Sequence, residues 1–199
     1  MWKPSLTERD IDDRSDLLFG VRRSIRYHNH RRRFFDAIDK AAKIFTVIAG
    51  SATFASALST HPRLTLAFAA SVAVLSTIDL IIASAERARL HSDLAKRFAA
   101  LEARILRHKQ PTRDDLNEFI AERLMIESDE PPALRVLDCR CHNELCQAMG
   151  KDDCEFVKIG FVQGLFSQVV DLWPSKITKK RSSEIQEAKA GCIVEQSQR

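Results

Sequence analysis

Residues 44–85 read IFTVIAGSATFASALST-HPR-LTLAFAASVAVLSTIDLIIASA, and this stretch decides the fold. Two apolar arms, residues 44–60 and 64–85, flank a break at residues 61–63, and the charge in the second arm is Asp79. As helices rising about 1.5 Å per residue, the arms would be roughly 25 Å and 33 Å long. Because the hydrocarbon core of a bilayer is about 30 Å thick, the pattern predicts a helical transmembrane hairpin.

Charge outside the arms predicts their orientation. The 199-residue chain has 31 Lys and Arg against 27 Asp and Glu, a mild excess that suits an anionic membrane surface or a nucleic acid. Basic residues precede the first arm and follow the second, whereas the loop holds Arg63 and His61. The positive-inside rule then places both termini in the cytoplasm of a bacterial inner-membrane protein. The first 40 residues are too charged for a signal peptide.

Helical spacing predicts an all-α fold: a two-helix transmembrane hairpin that extends into a cytoplasmic helical stalk, followed by a small cytoplasmic helical region. We expect a flexible N-terminus over residues 1–14, the hairpin with its extensions over 15–110, cytoplasmic helices over 111–173 and a polar, disordered tail over 174–199.

The helix of the second arm is predicted to continue to Lys109. Along this continuation the apolar residues recur at helical spacing and predict a buried stripe. The stripe consists of Leu90, Leu94, Phe98, Leu101, Ile105 and Leu106. Beyond Pro111, Thr112 is the expected N-cap of a helix that runs to Ser128, with Asp115 at the third position. Two further helices are predicted, over residues 133–149 and 153–172.

Small residues in the first arm predict close helix packing. They give small-xxx-small spacings, which let helices approach closely in lipid. The residues concerned are Gly50, Ser51, Ala52, Ala55 and Ser56. We expect a homo-oligomer in the lipid bilayer, although packing of the two arms against each other would also use these faces.

Asp79 is the costly residue of the hairpin, because a carboxylate in a membrane helix must be paired, protonated or in contact with water. A tight hairpin centred on Pro62 places Asp79 near Phe45 and within reach of Lys43. Asp79 could therefore line a water-filled pore, or it could pair with Lys43 at the membrane interface.

Other side chains suggest alternative functions. The basic run from Arg22 to Arg33 contains aromatic residues and could grip nucleic acid, but it also suits a membrane-proximal helix, which we favour over nucleic-acid binding. Cys139, Cys141 and Cys146 lie with His142 in a helical pattern that does not match a zinc site, so no metal or cofactor is expected. No catalytic residue is evident, and the odd number of five cysteines favours a reducing compartment.

A short motif precedes the hairpin, and we call it the membrane-proximal motif. It consists of Tyr27, His28, Arg31, Phe34 and Phe35. Together with Gly50-Ser51 and the two arms, it resembles the SLATT family of bacterial two-transmembrane proteins, which are named for their association with nucleotide-sensing SMODS and SLOG domains. The resemblance covers roughly residues 15–110 and implies a pore-forming membrane effector of anti-phage or other conflict systems, without catalytic residues.

Three functions follow as hypotheses. The first is a self-associating pore-forming effector, activated by a separate nucleotide-sensing or activating protein or through the helices after Pro111. The second is a membrane-anchored interaction protein without pore activity. The third is a soluble helical bundle whose basic helix binds nucleic acid. We expect no enzymatic activity.

Overall fold

The computed structural model describes residues 8–51, 56, 61–150, 156–169 and 171. Of these residues 83% are helical and none lies in a strand, which confirms the predicted all-α class. The helices of this part are α1 Glu8–Ala49, α2 Pro62–Ile82, α3 Ser84–Arg107, α4 Arg113–Ser128, α5 Arg135–Ala148 and α6 Phe161–Phe166.

The chain divides into two compact units. Met1–Tyr27 and Lys96–Arg199 form the first, which we call the terminal unit. His28–Ala95 forms the second, which we call the middle unit.

The core of the terminal unit is built from stripes of apolar residues on its helices. Phe98, Leu101 and Ile105 of α3 are fully buried, as their spacing predicts, and Leu94 is buried in the middle unit. Leu90 and Leu106, at the edges of the predicted stripe, are exposed instead. Other helices contribute the remaining large buried side chains of the terminal unit. They are Leu17, Val21, Tyr27, Leu116, Phe119, Ile126, Val136, Leu137 and Leu145.

Ion pairs connect the helices of the terminal unit to one another. The Arg22 guanidinium lies 2.6 Å from a carboxylate oxygen of Glu102. Arg113 pairs with Asp10 and Asp13 near the start of α1, and the hydrogen bonds that it donates to Asp13 and Asp10 raise its pKa. The expected flexible N-terminus over residues 1–14 is therefore wrong from residue 8 onward, because α1 already begins there and its acidic side chains are paired.

Two different devices begin the helices of the C-terminal half. The predicted cap of α4 is confirmed: Asp115 N donates to Thr112 Oγ1 at 3.2 Å, and Thr112 N donates to Asp115 Oδ2 at 2.7 Å. The first N–H groups of α5 donate to the side chain of a distant residue, Asp171. Arg135 N donates to Asp171 Oδ2 at 2.8 Å, and Val136 N donates to Asp171 Oδ1 at 3.1 Å.

The predicted helix over residues 153–172 is wrong. Residues 156–160 are not helical, and α6 is only six residues long. The Asn143 side chain explains part of this, because it accepts from Val157 N at 2.8 Å and donates to Val157 O at 2.7 Å. These two bonds hold an extended backbone at Val157 that a helix would not allow. The predicted tail over 174–199 lies outside the described residues.

The middle unit contains two departures from the predicted continuous helices. In the first arm, α1 ends at Ala49 and Gly50 lies in a turn, so residues 44–60 are not one uninterrupted helix. In the second arm, α2 ends at Ile82 and Ala83 adopts the left-handed conformation, with φ 50° and ψ 52°. The predicted continuous helix through Lys109 is therefore broken at Ala83, and α3 ends at Arg107.

Candidate membrane-spanning segment and membrane-proximal motif

α2 carries an apolar surface that the described part of the protein does not cover. None of its residues is buried. Leu66, Leu80 and Ile81 expose 73%, 81% and 74% of their surface. The other exposed large side chains of the helix are Leu64, Phe68, Val74, Leu75 and Ile78. One helical stretch of the described residues, Pro62–Arg107, is long and apolar enough to cross a membrane, and its apolar window is not buried at all.

The end of α1 carries a similar surface. Ile44, Val47 and Ile48 expose more than half of their area. These residues begin the first predicted arm. The rest of that arm lies largely outside the described residues, including Ala52 and Ala55. Of the small residues predicted to pack, Gly50 and Ser51 follow the end of α1, and Ser56 is exposed.

Asp79 is bound at the junction between α2 and α3. Ser84 Oγ donates to Asp79 Oδ1 at 2.7 Å, and the Ala83 N–H donates to the Asp79 carbonyl at 2.8 Å. Ser84 itself is buried. The predicted pairing of Asp79 with Lys43 is not found, because Lys43 Nζ instead contacts Asp39 Oδ2 at 2.7 Å, one turn earlier on α1. Asp39 lies four residues before Lys43 on the same helix, so this pair forms without any contribution from the tertiary structure.

A cavity of about 370 Å³ separates α1 from α2 in the middle unit, with Asp79 in its wall. The rest of the lining is apolar. It consists of Ile38, Ala41, Ala42, Phe45, Leu75, Ile78 and Ile82. Phe45 and Asp79 thus line the same space, as the predicted register expects. Asp79 is therefore the one polar residue among those that line this cavity.

The membrane-proximal motif is divided between the two units. Tyr27 belongs to the terminal unit, where its hydroxyl accepts a hydrogen bond from Leu134 N at 3.0 Å. Its ring packs in a buried cluster with Leu137 and Cys141. Burial raises the pKa of the Cys141 thiol to about 12, which leaves it in the unreactive protonated form at neutral pH.

His28 begins the part of the motif that lies in the middle unit. Its Nδ1 is 2.9 Å from Nδ1 of His91, and both imidazoles are almost fully buried. The Phe35 ring stacks on His91, with 5.7 Å between centroids and an interplanar angle of 8°. A hydrogen bond between two Nδ1 atoms requires one of them to lack a proton. The cluster therefore cannot hold both imidazoles as cations in this geometry.

The electrostatic surroundings of His91 are positive. Its pKa is lowered to about 4, mainly by burial and in addition by the nearby His28, Arg31 and Arg87. The Arg31 guanidinium lies 4.5 Å from the Phe35 centroid, and that of Arg87 lies 5.8 Å from the same centroid. Two cationic side chains from different helices thus share one aromatic ring. Phe34 contacts Phe35 edge-on, with 5.5 Å between centroids.

His91 and Ser84 were not predicted to have a role, and Arg87 was predicted only as one of the basic residues that follow the second arm. The signal for His91 was present: it lies three residues before Leu94, on the apolar stripe of α3, and a histidine there must be buried. Ser84 had no such signal, because its role depends on the break at Ala83.

Most of the basic run is committed to contacts within the protein. Arg22 pairs with Glu102, and Arg23 lies 3.1 Å from Asp138. The pKa of Asp138 is raised, because burial raises it more than the nearby Arg23 lowers it. Of the six arginines between residues 22 and 33, Arg33 is the one classed as exposed. Within the described residues, no group of three or more His, Cys, Asp or Glu could hold a metal ion. Cys139, Cys141 and Cys146 are not joined in disulfides, and Cys146 Sγ lies 3.5 Å from His142 Nε2.

Comparison with protein-family models, curated proteins and solved structures finds no match for this chain.

Proposed function

We propose that the protein is an inner-membrane protein whose two arms, residues 44–60 and 64–85, insert as a hairpin with both termini in the cytoplasm. The exposed apolar surface of α2 carries this proposal. Full transfer of a large apolar side chain from water is worth about 1.5–3 kcal/mol, so placing the eight exposed side chains of α2 in lipid is favourable by on the order of 10 kcal/mol. Its 21 residues span about 32 Å, close to the thickness of the hydrocarbon core.

Insertion is tested by fractionating cells that express the full chain. The protein should remain in the membrane pellet after extraction with alkaline carbonate. Replacing Leu66 and Leu80 by lysine should release it, whereas the same change at exposed Leu106, outside the apolar segment, should not. Recovery of the unaltered chain in the soluble fraction would disprove insertion.

Within this proposal the protein self-associates and permeabilises the membrane, as a pore-forming effector of an anti-phage or other conflict system. Support comes from the small residues of both arms, the resemblance to SLATT proteins and the presence of Asp79 in an apolar cavity. Induced expression should depolarise cells loaded with a membrane-potential dye. Cross-linking or mass measurement in detergent should give a homo-oligomer.

Substitutions of Asp79 and Ser84 distinguish two possible roles of Asp79 in such a pore. If its charge lines the pore, Asp79→Asn should change ion conductance, whereas Ser84→Ala, which removes its hydrogen-bond donor, should change it little. If Asp79 acts by holding the junction between α2 and α3, the two substitutions should have the same effect. Glu86→Gln is the matched control, because Glu86 is an exposed carboxylate in the first turn of α3.

A membrane-anchored interaction protein is the second candidate. It is favoured by the apolar side chains that α4 exposes, Leu124 at 59% and Met125 at 69%. Replacing the hairpin by an unrelated one should preserve function in an anchor and abolish it in a pore. The soluble, nucleic-acid-binding alternative is less well supported, because Arg22 and Arg23 are paired with acidic side chains.

A further inference from the structure

We infer that Arg31 and Arg87, held together on the Phe35 ring, form a binding site for a phosphate group, supplied by the head group of an anionic lipid. The inference rests on the proposed membrane insertion and adds a ligand to it.

The first argument is the convergence of two guanidinium groups. Arg31 comes from α1 and Arg87 from α3, yet both lie over one ring, at 4.5 Å and 5.8 Å from its centroid. Both distances are measured to the Phe35 centroid, so the distance between the two guanidinium groups cannot exceed the sum of 4.5 Å and 5.8 Å. Guanidinium groups present planar pairs of N–H donors that match phosphate oxygens, and the ring limits their freedom before a ligand binds.

The second argument is the local charge. His91 stacks on Phe35, with 5.7 Å between ring centroids, so the charges near His91 are also near the ring. Each charged group that acts on it, namely His28, Arg31 and Arg87, is basic and opposes its protonation. Glu86 is exposed in the same turn as Arg87 but is not among the groups that act on His91. An anion is therefore the complement that this part of the middle unit favours.

The third argument is position. The exposed apolar surface of α2 ends at Ile82, and Arg87 follows five residues later, beyond the break at Ala83 and near the start of α3. The polar head-group layer is about 5–8 Å deep on each side of the hydrocarbon core. If Ile82 marks the edge of that core, Arg87 is at the depth of lipid phosphates. Arg87 is exposed and Arg31 half-buried, so both can be reached from outside.

The buried histidines give the site a rigid base. The hydrogen bond between His28 and His91 and the stacking of Phe35 on His91 keep the ring in place. Phe35 is itself 3% exposed, so it acts as a support and leaves the two arginines as the contacting groups.

The test uses the full chain purified in detergent and native mass spectrometry with phosphatidylglycerol or phosphatidylcholine. The unaltered protein should bind phosphatidylglycerol saturably and phosphatidylcholine weakly. Each basic residue near an anionic surface contributes about fivefold in affinity, so the double variant Arg31→Gln, Arg87→Gln should bind phosphatidylglycerol about 20-fold more weakly. The control is Arg33→Gln, Arg89→Gln, which removes the same charge from two exposed positions nearby and should lose fivefold or less.

Equal losses in the two double variants would overturn the inference, because they would indicate diffuse attraction to basic residues. So would the absence of any preference for phosphatidylglycerol. Arg87→Gln against Arg89→Gln gives the same comparison if substitution of Arg31 disturbs folding, and circular dichroism in the same detergent checks helicity.

Inorganic phosphate distinguishes the source of the ligand. If millimolar phosphate fails to displace phosphatidylglycerol, the site is a lipid site. If phosphate displaces the lipid from the unaltered protein but not from Arg31→Gln, Arg87→Gln, the same site takes phosphate from solution. Carbonate extraction of the same protein separates the two levels of failure. A chain that is not inserted disproves the proposed function, whereas an inserted chain without phosphate binding disproves only this inference.

Discussion

Acidification should destabilise the protein through the His28–His91 pair. The two Nδ1 atoms are 2.9 Å apart, so their hydrogen bond requires one unprotonated nitrogen. A proton added to His91 would place a charge in a buried site near His28, Arg31 and Arg87. The folded protein therefore resists a proton that the unfolded chain accepts readily.

The size of the effect follows from the pKa of His91, which is lowered from 6.5 to about 4, mainly by burial. One unit of pKa difference corresponds to 1.36 kcal/mol, so the full effect is about 3 kcal/mol. The unfolded state binds more protons than the folded state between these two values. The contribution of His91 to the free energy of unfolding should thus be fully present above pH 6.5. It should decrease as the pH falls toward 4 and change little below pH 4.

The measurement is urea unfolding of the full chain in a mild detergent, followed by circular dichroism at pH 7.5 and pH 4.5. Lowering the pH should cost the unaltered protein about 2–3 kcal/mol more than it costs His91→Gln. Other titrating groups, such as Asp138, cancel because they are common to both proteins. His108→Gln, at an exposed histidine, should behave like the unaltered protein. The reasoning is refuted if His91→Gln has the same pH dependence as the unaltered chain.

Three further substitutions test the fold, each by thermal or urea unfolding. Asp171→Ala should cost about 1–2 kcal/mol, because it removes the acceptor for the N–H groups of Arg135 and Val136; an effect below 0.3 kcal/mol would mean that this cap is not formed. Ala83→Gly should stabilise by up to about 1 kcal/mol, because glycine relieves the left-handed backbone, whereas a continuous α-helix there would be destabilised by a similar amount. Phe98→Ala should cost about 3–5 kcal/mol, since the ring is fully buried, and a cost near zero would place it outside the core.

Features carried by neighbouring residues could be predicted from the sequence. The cap of α4 depends on Thr112 and Asp115, which are three positions apart, and both of its hydrogen bonds are present. The stripe on α3 follows from helical periodicity, and its central residues Phe98 and Leu101 are buried. Such features need only the geometry of one helix, so no knowledge of the tertiary fold is required.

Features that join distant positions could not be predicted. The cap of α5 comes from Asp171, 35 residues after Val136, and no local pattern connects them. The extended backbone at Val157 depends on the side chain of Asn143, 14 residues earlier. The pairing of His28 with His91 similarly joins residues 63 positions apart, and the predicted register was too approximate to identify one partner.

The break at Ala83 shows why local preference alone misjudges the hairpin. Alanine strongly favours the right-handed helix, and the left-handed conformation costs it about 1–2 kcal/mol. The change of surroundings at this residue offers an explanation: α2 before it has no buried residue, whereas Ser84 and Ala88 directly after it are buried. A straight helix would have to present one continuous face to both environments. The break lets α3 turn its own face inward, and the hydrogen bond from Ser84 to Asp79 offsets part of the cost. The Asp79 carboxylate thus has a structural use that the apolar sequence around it would not suggest.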